Sequence, residues 1–224
     1  MVFTTFFWKM EKNNIKKGIV LGVLFIGPLL FYIFLTLGIY HYANLPILTD
    51  KVEDIKGSES FKDHFSVVSF LGKNVTRTKG GLFNLNEVIY KRYQKSLYFQ
   101  SVLIVPEGAE AELEALKKKL KTYTDISNWK FVIMSDEDIT SLFNSFKSPY
   151  KLNADVGSEY VFIVDRKLRL RGRKDDEDTA TGRLYGYNMN SVADLRNKMK
   201  KDLEIIYYQL KKSLEKQKRR RREI

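Results

Sequence analysis

From Gly18 to Tyr40 the chain runs for 23 residues without a charged side chain, and no other stretch limits its possible structures as much. A helix of that length covers roughly 34 Å at about 1.5 Å per residue, enough to cross a hydrocarbon core of about 30 Å. A soluble helix this long normally carries a polar face, so the expectation is one membrane-spanning helix over residues 18–40. Pro28 lies inside it, where a membrane helix tolerates a kink. Lys9, Lys12, Lys16 and Lys17 precede the span, whereas His41, Asp50, Glu53 and Asp54 follow it. The positive-inside bias then predicts a cytoplasmic N-terminus, residues 1–17, with everything after Tyr40 on the periplasmic or extracytoplasmic face of an inner (plasma) membrane. Tyr40 and Tyr42 fall at the level of an interfacial aromatic belt. Cleavage after Ala43 would put His41 where a small side chain is wanted, so the segment reads as a retained anchor. Met10 is as good a start as Met1, and residues 1–9 carry no functional weight.

The chain has 224 residues, which leaves room for one ordinary domain after the anchor. A mix of 44% hydrophobic, 29% charged and 13% aromatic residues is that of a chain able to bury a core. There is no cysteine, so disulfides, thiolate nucleophiles, thiolate metal sites and lipid attachment through sulfur are all excluded. The net charge of +12 is unevenly placed. Residues 211–224 hold eight Lys or Arg against Glu215 and Glu223, half of the excess. That tail, 215–224, is either a solvated end or a basic extension that settles on anionic headgroups through Lys218, Arg219, Arg220, Arg221 and Arg222. Nucleic acid is not expected as a partner, because the domain is placed outside the cytoplasm and its basic residues are not interleaved with an aromatic platform.

Residues 41–63 contain Pro46, Gly57 and several charges with little periodicity, and read as a stalk that lifts the domain off the membrane. Phe65 to Leu71 is an apolar run ending at Gly72, a first strand. Leu82, Leu85, Val88, Ile89 and Tyr93 recur at helical spacing and predict a helix over about 84–95. Phe99 to Val105 is a nearly continuous apolar run, as in a central strand covered on both faces. Glu107, Glu110 and Glu112 begin a helix that ends in Lys117 to Lys121, charges that complement its dipole. Phe131 to Met134 is a strand, and Ser135 caps a helix over 136–146. Tyr160 to Val164 and Leu168 to Arg173 are two strands about a tight turn at Asp165 to Lys167. Val192, Leu195, Met199, Leu203, Ile206, Leu210 and Leu214 mark one stripe of a long last helix. This order predicts an α/β domain over 64–214, a thioredoxin-like mixed sheet with helices on both faces.

From Asn128 the sequence reads Asn-Trp-Lys-Phe-Val-Ile-Met-Ser-Asp-Glu-Asp-Ile, then Leu142, Phe143 and Phe146. This resembles the Sco/SenC family, in which a tryptophan, an apolar strand, a serine and an acidic helix start follow in that order. The similarity extends over Glu107 to Leu120 and Tyr160 to Gly172. The resemblance implies a thioredoxin fold anchored in the inner membrane and related to proteins that deliver copper to cytochrome oxidase. Those relatives hold copper through a Cys-x-x-x-Cys pair after the first strand and a histidine before the penultimate one. The first position here falls within Gly72 to Thr78, the second near Gly157, and neither carries its ligand. With only His41 and His64 as histidines, this is a degenerate member that lacks the copper chemistry.

Other candidates have plainer readings beside them. Lys73, Asn74, Arg77 and Lys79, with Gly80 and Gly81, form a basic loop ahead of a helix. It is either an anion- or partner-binding loop or a solvated one, and it lacks phosphate-loop spacing. Asp175 to Asp178 lacks the alternation of a calcium loop and reads as an exposed acidic turn. Tyr185, Tyr187 and Met189 read as packing over the sheet. Asn74-Val75-Thr76 matches a glycosylation sequon of the kind chance supplies. No catalytic constellation and no cofactor are expected. The domain therefore reads as a non-catalytic module that binds an envelope protein, in respiratory-complex assembly by the family resemblance. The alternative is a metal carrier or enzyme using His64 with the acidic loop.

Overall fold

β-Branched and aromatic residues cluster in the runs that become central strands, and amphipathic stretches between them become the covering helices. In chain order the elements are α1 (Phe3–Gly38), β1 (Ile47–Thr49), β2 (Phe65–Leu71), α2 (residues 75–93), β3 (Phe99–Pro106), α3 (Glu110–Lys121), β4 (Trp129–Met134), α4 (Asp136–Ser145), β5 (Gly157–Val164), β6 (Leu170–Arg171), β7 (Tyr187–Asn188) and α5 (residues 192–222). Helices α2 and α5 each contain one π turn, Asn86–Tyr90 and Leu195–Met199. This computed structural model describes residues 3–38, 44–55, 57 and 59–222. Tyr40, His41, Tyr42 and Ala43 lie outside the described residues.

Two units result. The first is α1, whose segment Lys16–Phe34 is long and apolar enough to cross a membrane and has its side chains exposed. The helix is unbroken from Phe3, so the expected N-terminal segment 1–17 is, from residue 3 onward, a continuation of the same helix.

The second unit begins at Asn44. Its sheet runs β1-β6-β5-β2-β3-β4, with β7 also pairing β5. Strands β2, β3 and β4 are parallel, while β5 runs antiparallel to β2 and β6 to β5. The parallel β-α-β-α-β half followed by an antiparallel hairpin and a helix is the thioredoxin-like arrangement expected. Alternation along the strands splits the core into two layers. Phe65, Val67, Leu103, Val105, Val161 and Ile163 face α2, α3 and α5, whose Leu82, Leu85, Leu113, Leu116, Leu120, Leu195, Met199, Leu203, Ile206 and Leu210 close that side. Val68, Phe70, Val102, Ile104 and Phe162 face α4, where Ile139, Leu142, Phe143 and Phe146 cover them. Here Phe146 meets Phe162 edge-on at 5.0 Å and Phe70 meets Phe143 at 5.1 Å. Each such side chain contributes about 1.5–3 kcal/mol through burial.

Three expectations need correction. Residues 44–63 are not a free stalk, because Leu45, Val52, Ile55 and Phe61 are buried and β1 is the sheet edge paired with β6. The Thr49 hydroxyl donates to the Phe146 carbonyl at 2.6 Å, and the Asp54 carboxylate accepts from the Phe61 N–H at 2.7 Å. The first domain helix starts at Val75 and not near Asn84, which puts Gly80 and Gly81 within it. A Cβ on Gly81 would come within 2.6 Å of the Met189 side chain, so this glycine serves a close approach between segments and not a loop. The stripe of α5 starts at Leu195, since Val192 is exposed.

Candidate functional site

In a doubly covered α/β sheet, ligands gather beyond the carboxyl ends of the parallel strands, where loops leave for opposite faces. Here β2 ends at Leu71, which pairs across to Gly157 at the start of β5. Gly72 follows with φ +73°, a left-handed turn that releases the chain toward α2. A Cβ on Gly72 would sit 2.9 Å from the Asp155 carbonyl, and one on Gly157 would sit 3.1 Å from the Gly72 backbone. Two backbones therefore touch at the two places where the family resemblance puts metal ligands. The approach is fixed by the Lys73 N–H donating to the Asp155 carbonyl at 3.0 Å. Across from it, the Asn153 side-chain oxygen accepts from the Asp155 and Gly157 N–H groups, each at 2.9 Å. Between them Val156 is held at φ +53°, a strained setting for a β-branched residue.

The basic residues ahead of α2 come together in part. Asn74 caps the helix, its side-chain oxygen accepting from the Arg77 N–H at 3.1 Å. Glu112 of α3 accepts the Val75 N–H at 3.0 Å. At the helix N-terminus the Val75 and Arg77 N–H groups are thus already taken by a carboxylate and a side-chain amide, and an anion bound there would compete with Glu112. Lys73 reaches across to Asp136 at the start of α4 at 2.6 Å, and this partner raises the Lys73 pKa. Arg77 is exposed in the first turn of α2. Lys79 lies one turn on, lining with Val75, Thr76, Glu112, Ala115 and Leu116 a small groove of about 110 Å³.

The strongest electrostatic perturbations lie elsewhere. Arg173 donates two bonds to the carboxylate of buried Asp202, at 2.8 and 3.0 Å, and the buried Tyr187 hydroxyl donates to the same group at 2.7 Å. Burial pushes the Asp202 carboxyl up, and Arg173 and Tyr187 only partly offset it. Tyr187 is raised well above the ordinary phenol value, first by burial and then by Asp202. Beside this pair, Lys198 joins buried Asp176 at 2.9 Å and exposed Asp178 at 2.7 Å. The acidic turn is thus not wholly exposed: Asp176 is its anchor into the fold. A third cluster ties the start of the domain to the hairpin. Buried Arg171 donates to Asp165 at 3.0 Å, to the Leu45 carbonyl and to the Asn44 side chain at 3.2 Å. Sequence reasoning does not single out Arg171, Arg173, Lys198 or Asp202, and the 29-residue gap between Arg173 and Asp202 leaves no local pattern to find them by.

His64 sits ahead of β2 with its Nδ1 3.0 Å from the Lys62 carbonyl, while the acidic turn is engaged with Lys198 and Arg173. The pairing of His64 with that turn is not formed. Among the described residues no three metal-ligating side chains converge. Tyr187 and Met189 pack in the core as expected, and Tyr185 lies half-buried beside the opposite layer.

No family model and no curated protein matches this chain. Among solved structures it is similar to a thioredoxin-family thiol:disulfide interchange protein from Chlorobium tepidum TLS, at 16% identity and a TM-score of 0.46 over 72% of this chain and 99% of that one. It is also similar to BsSco, a member of the Sco family of cytochrome c oxidase assembly proteins, at 15% identity and 0.45 over 69% and 96%. Copper-bound ScoI from Arabidopsis thaliana gives 14% identity and 0.41 over 64% and 86%. Thioredoxin-like and Sco-family proteins are thus what it resembles. Nothing about activity passes from them to this chain at such identities, and the thioredoxin-like arrangement stands on the chain's own strand order.

Proposed function

We propose that this protein is a membrane-tethered thioredoxin-fold module that acts by binding another protein of the cell envelope, without copper or thiol-redox chemistry. The observation that carries the reading is the meeting of Gly72 and Gly157. The end of β2, where a thioredoxin-like fold sets its reactive groups, has a left-handed turn, a strained Val156 and a close cross-strand contact, and offers backbone, Lys73 and Asn74. A chain without cysteine has no thiolate to exchange or to hold copper(I). Satisfied polar groups suit recognition, for which exposed Arg77 supplies a cation at the start of α2 and Lys79 another beside the adjoining groove. The apolar helix with lysines before it supports anchoring with the domain on the extracytoplasmic side. The Sco/SenC resemblance of residues 107–172 supports a partner among respiratory-complex assembly components.

A photo-crosslinking residue at position 77, introduced into the full chain in native membranes, tests this. The reading predicts one discrete adduct from position 77 and none from a control at exposed position 174. Equal labelling from both positions, or none from 77, overturns it. Alkaline phosphatase fused after residue 60 is expected to be active outside the cytoplasm, and the reverse pattern would invert the topology.

A further inference from the structure

We propose that the end of α5 and the β5–β6 turn form a basic footing that binds anionic phospholipid headgroups and orients the domain on the membrane. This rests on reading α1 as the anchor. Ile206, Leu210, Ser213 and Gln217 succeed one another at intervals of three and four along one face of α5 with Gln209 beside them, and across from them stand Arg166, Lys167, Arg169 and Arg171. Together with Asp63, Phe65 and Asp165 they enclose an open cavity of about 410 Å³. Its two carboxylates are engaged: Asp165 is taken by Arg169 at 2.6 Å and Arg171 at 3.0 Å, and Asp63 faces Arg166 at 3.8 Å. Lys167 is exposed at the turn. The same face of α5 runs on through Lys216, Arg220 and Arg221, and the helix is continuous to residue 222 with positions 215–221 exposed. The apolar stripe is over by Leu214, and residues 215–221 beyond it are exposed. As helix, this stretch carries its cations in a regular row.

This basic end lies where the domain's chain begins. Asn44 accepts from Gln209 of α5 at 2.9 Å and from Arg171 at 3.2 Å. In the sequence Asn44 follows the last residue of α1, Gly38, by six positions. The thirteen steps from Gln209 to Arg222 span about 20 Å of helix at about 1.5 Å per residue. The attraction of such cations to an anionic surface falls off within a Debye length, about 10 Å at 0.1 M salt, so only a tail lying on the headgroups gains from it. An anionic lipid is favoured over an acidic protein because its surface adjoins an anchored domain at a fixed, high effective concentration.

The test uses the full chain, whose lack of cysteine makes a Gln217→Cys thiol the single site for a fluorescent dye. The labelled protein is reconstituted in nanodiscs of phosphatidylcholine alone or doped with phosphatidylglycerol, each carrying a headgroup-level quencher. Quenching is expected to be several-fold stronger in the anionic discs. It should fall to the neutral-disc level at high salt, and also when Lys216, Lys218 and Arg219 to Arg221 are all changed to Gln. Lys167→Gln should weaken it in part. Equal quenching in both discs, or an unchanged signal in the neutralised variant, overturns the proposal, as does quenching relieved by polyglutamate but indifferent to lipid charge, which would identify an acidic protein. Alkaline extraction of the unlabelled chain reads the anchor separately. A chain that is extracted yet quenched only by anionic discs loses the anchor and keeps the footing.

Discussion

The junction at the end of β2 and the ion-pair cluster around Asp202 make opposite use of polar groups. At the junction, Lys73, Asn74 and Asp136 lie at the surface and satisfy one another or the backbone. Around Asp202, a buried carboxylate takes a bidentate Arg173, and burial raises the Asp202 pKa and lifts that of Tyr187 well above its ordinary value. Perturbed titratable groups commonly mark active sites, but ion-pair networks that hold a fold together perturb them as well. Here the perturbation belongs to a staple that fastens residues 173–189 to α5, away from the end of β2. The comparison warns against reading function from pKa shifts before asking which cleft the groups face.

Breaking the staple should have the larger consequence. Asp202→Ala leaves Arg173 and the Tyr187 hydroxyl without their shared acceptor, at a cost of about 3–5 kcal/mol. Tyr187→Phe removes one donor and keeps the ion pair, for about 1 kcal/mol. Chemical denaturation followed by tryptophan fluorescence reads both, since buried Trp129 packs on Tyr90 at 4.7 Å. If Asp202→Ala costs under about 1 kcal/mol, the cluster is not a staple.

At the junction the largest effect should come from backbone shape. Gly72→Ala places a Cβ 2.9 Å from the Asp155 carbonyl at a positive φ, and is expected to cost about 2 kcal/mol. Asn74→Ala, which removes only the cap of α2, should cost about 1 kcal/mol, while Asn74→Ser should restore most of it.

Much of the fold is legible in the sequence for a physical reason. Strands β2, β3 and β4 are covered on both faces, so their residues form continuous apolar runs that stand out without periodicity. Ser135, followed by Asp136, Glu137 and Asp138, announces the start of α4 because a cap is a local device. Residues 44–63 mislead because Leu45, Val52, Ile55 and Phe61 are spaced irregularly, each reaching the core from a segment with only three residues of strand. The start of α2 is hidden by Gly80 and Gly81, and the small size of Gly81 is required by Met189, more than a hundred residues away. In the sequence Asp176 looks like one of four solvated acids, and only the fold brings Lys198 to it. Local signals reveal elements, whereas pairings across the chain need the structure.

A subtler contrast should appear on acidification. Burial alone would raise Asp165, but bonds from Arg169, the Lys167 N–H and Arg171 outweigh it and hold its carboxyl below the ordinary value. Its contribution is therefore present above the unfolded value of about 3.9 and lost as pH falls through the lower folded one. Asp202 is held above its ordinary value, so its contribution is complete below about 3.9 and lost as pH rises through the folded value. Removing the titration with Asp165→Asn should make the loss of stability in acid shallower, and Asp202→Asn should make it steeper. Denaturation midpoints across about pH 2–6 check the two signs, and parallel slopes in both variants would refute the assignment.

With no cysteine in the chain, the end of β2 offers no thiolate to copper and is not expected to hold it. Titrating the purified full chain in detergent with copper(I) and copper(II), against a competing chelator, tests this most directly. The chelator is expected to keep the metal, with no saturable binding tighter than micromolar and no change on Lys73→Ala. One copper per chain held more tightly than that, and lost when Lys73 or Asn74 is replaced, would contradict it.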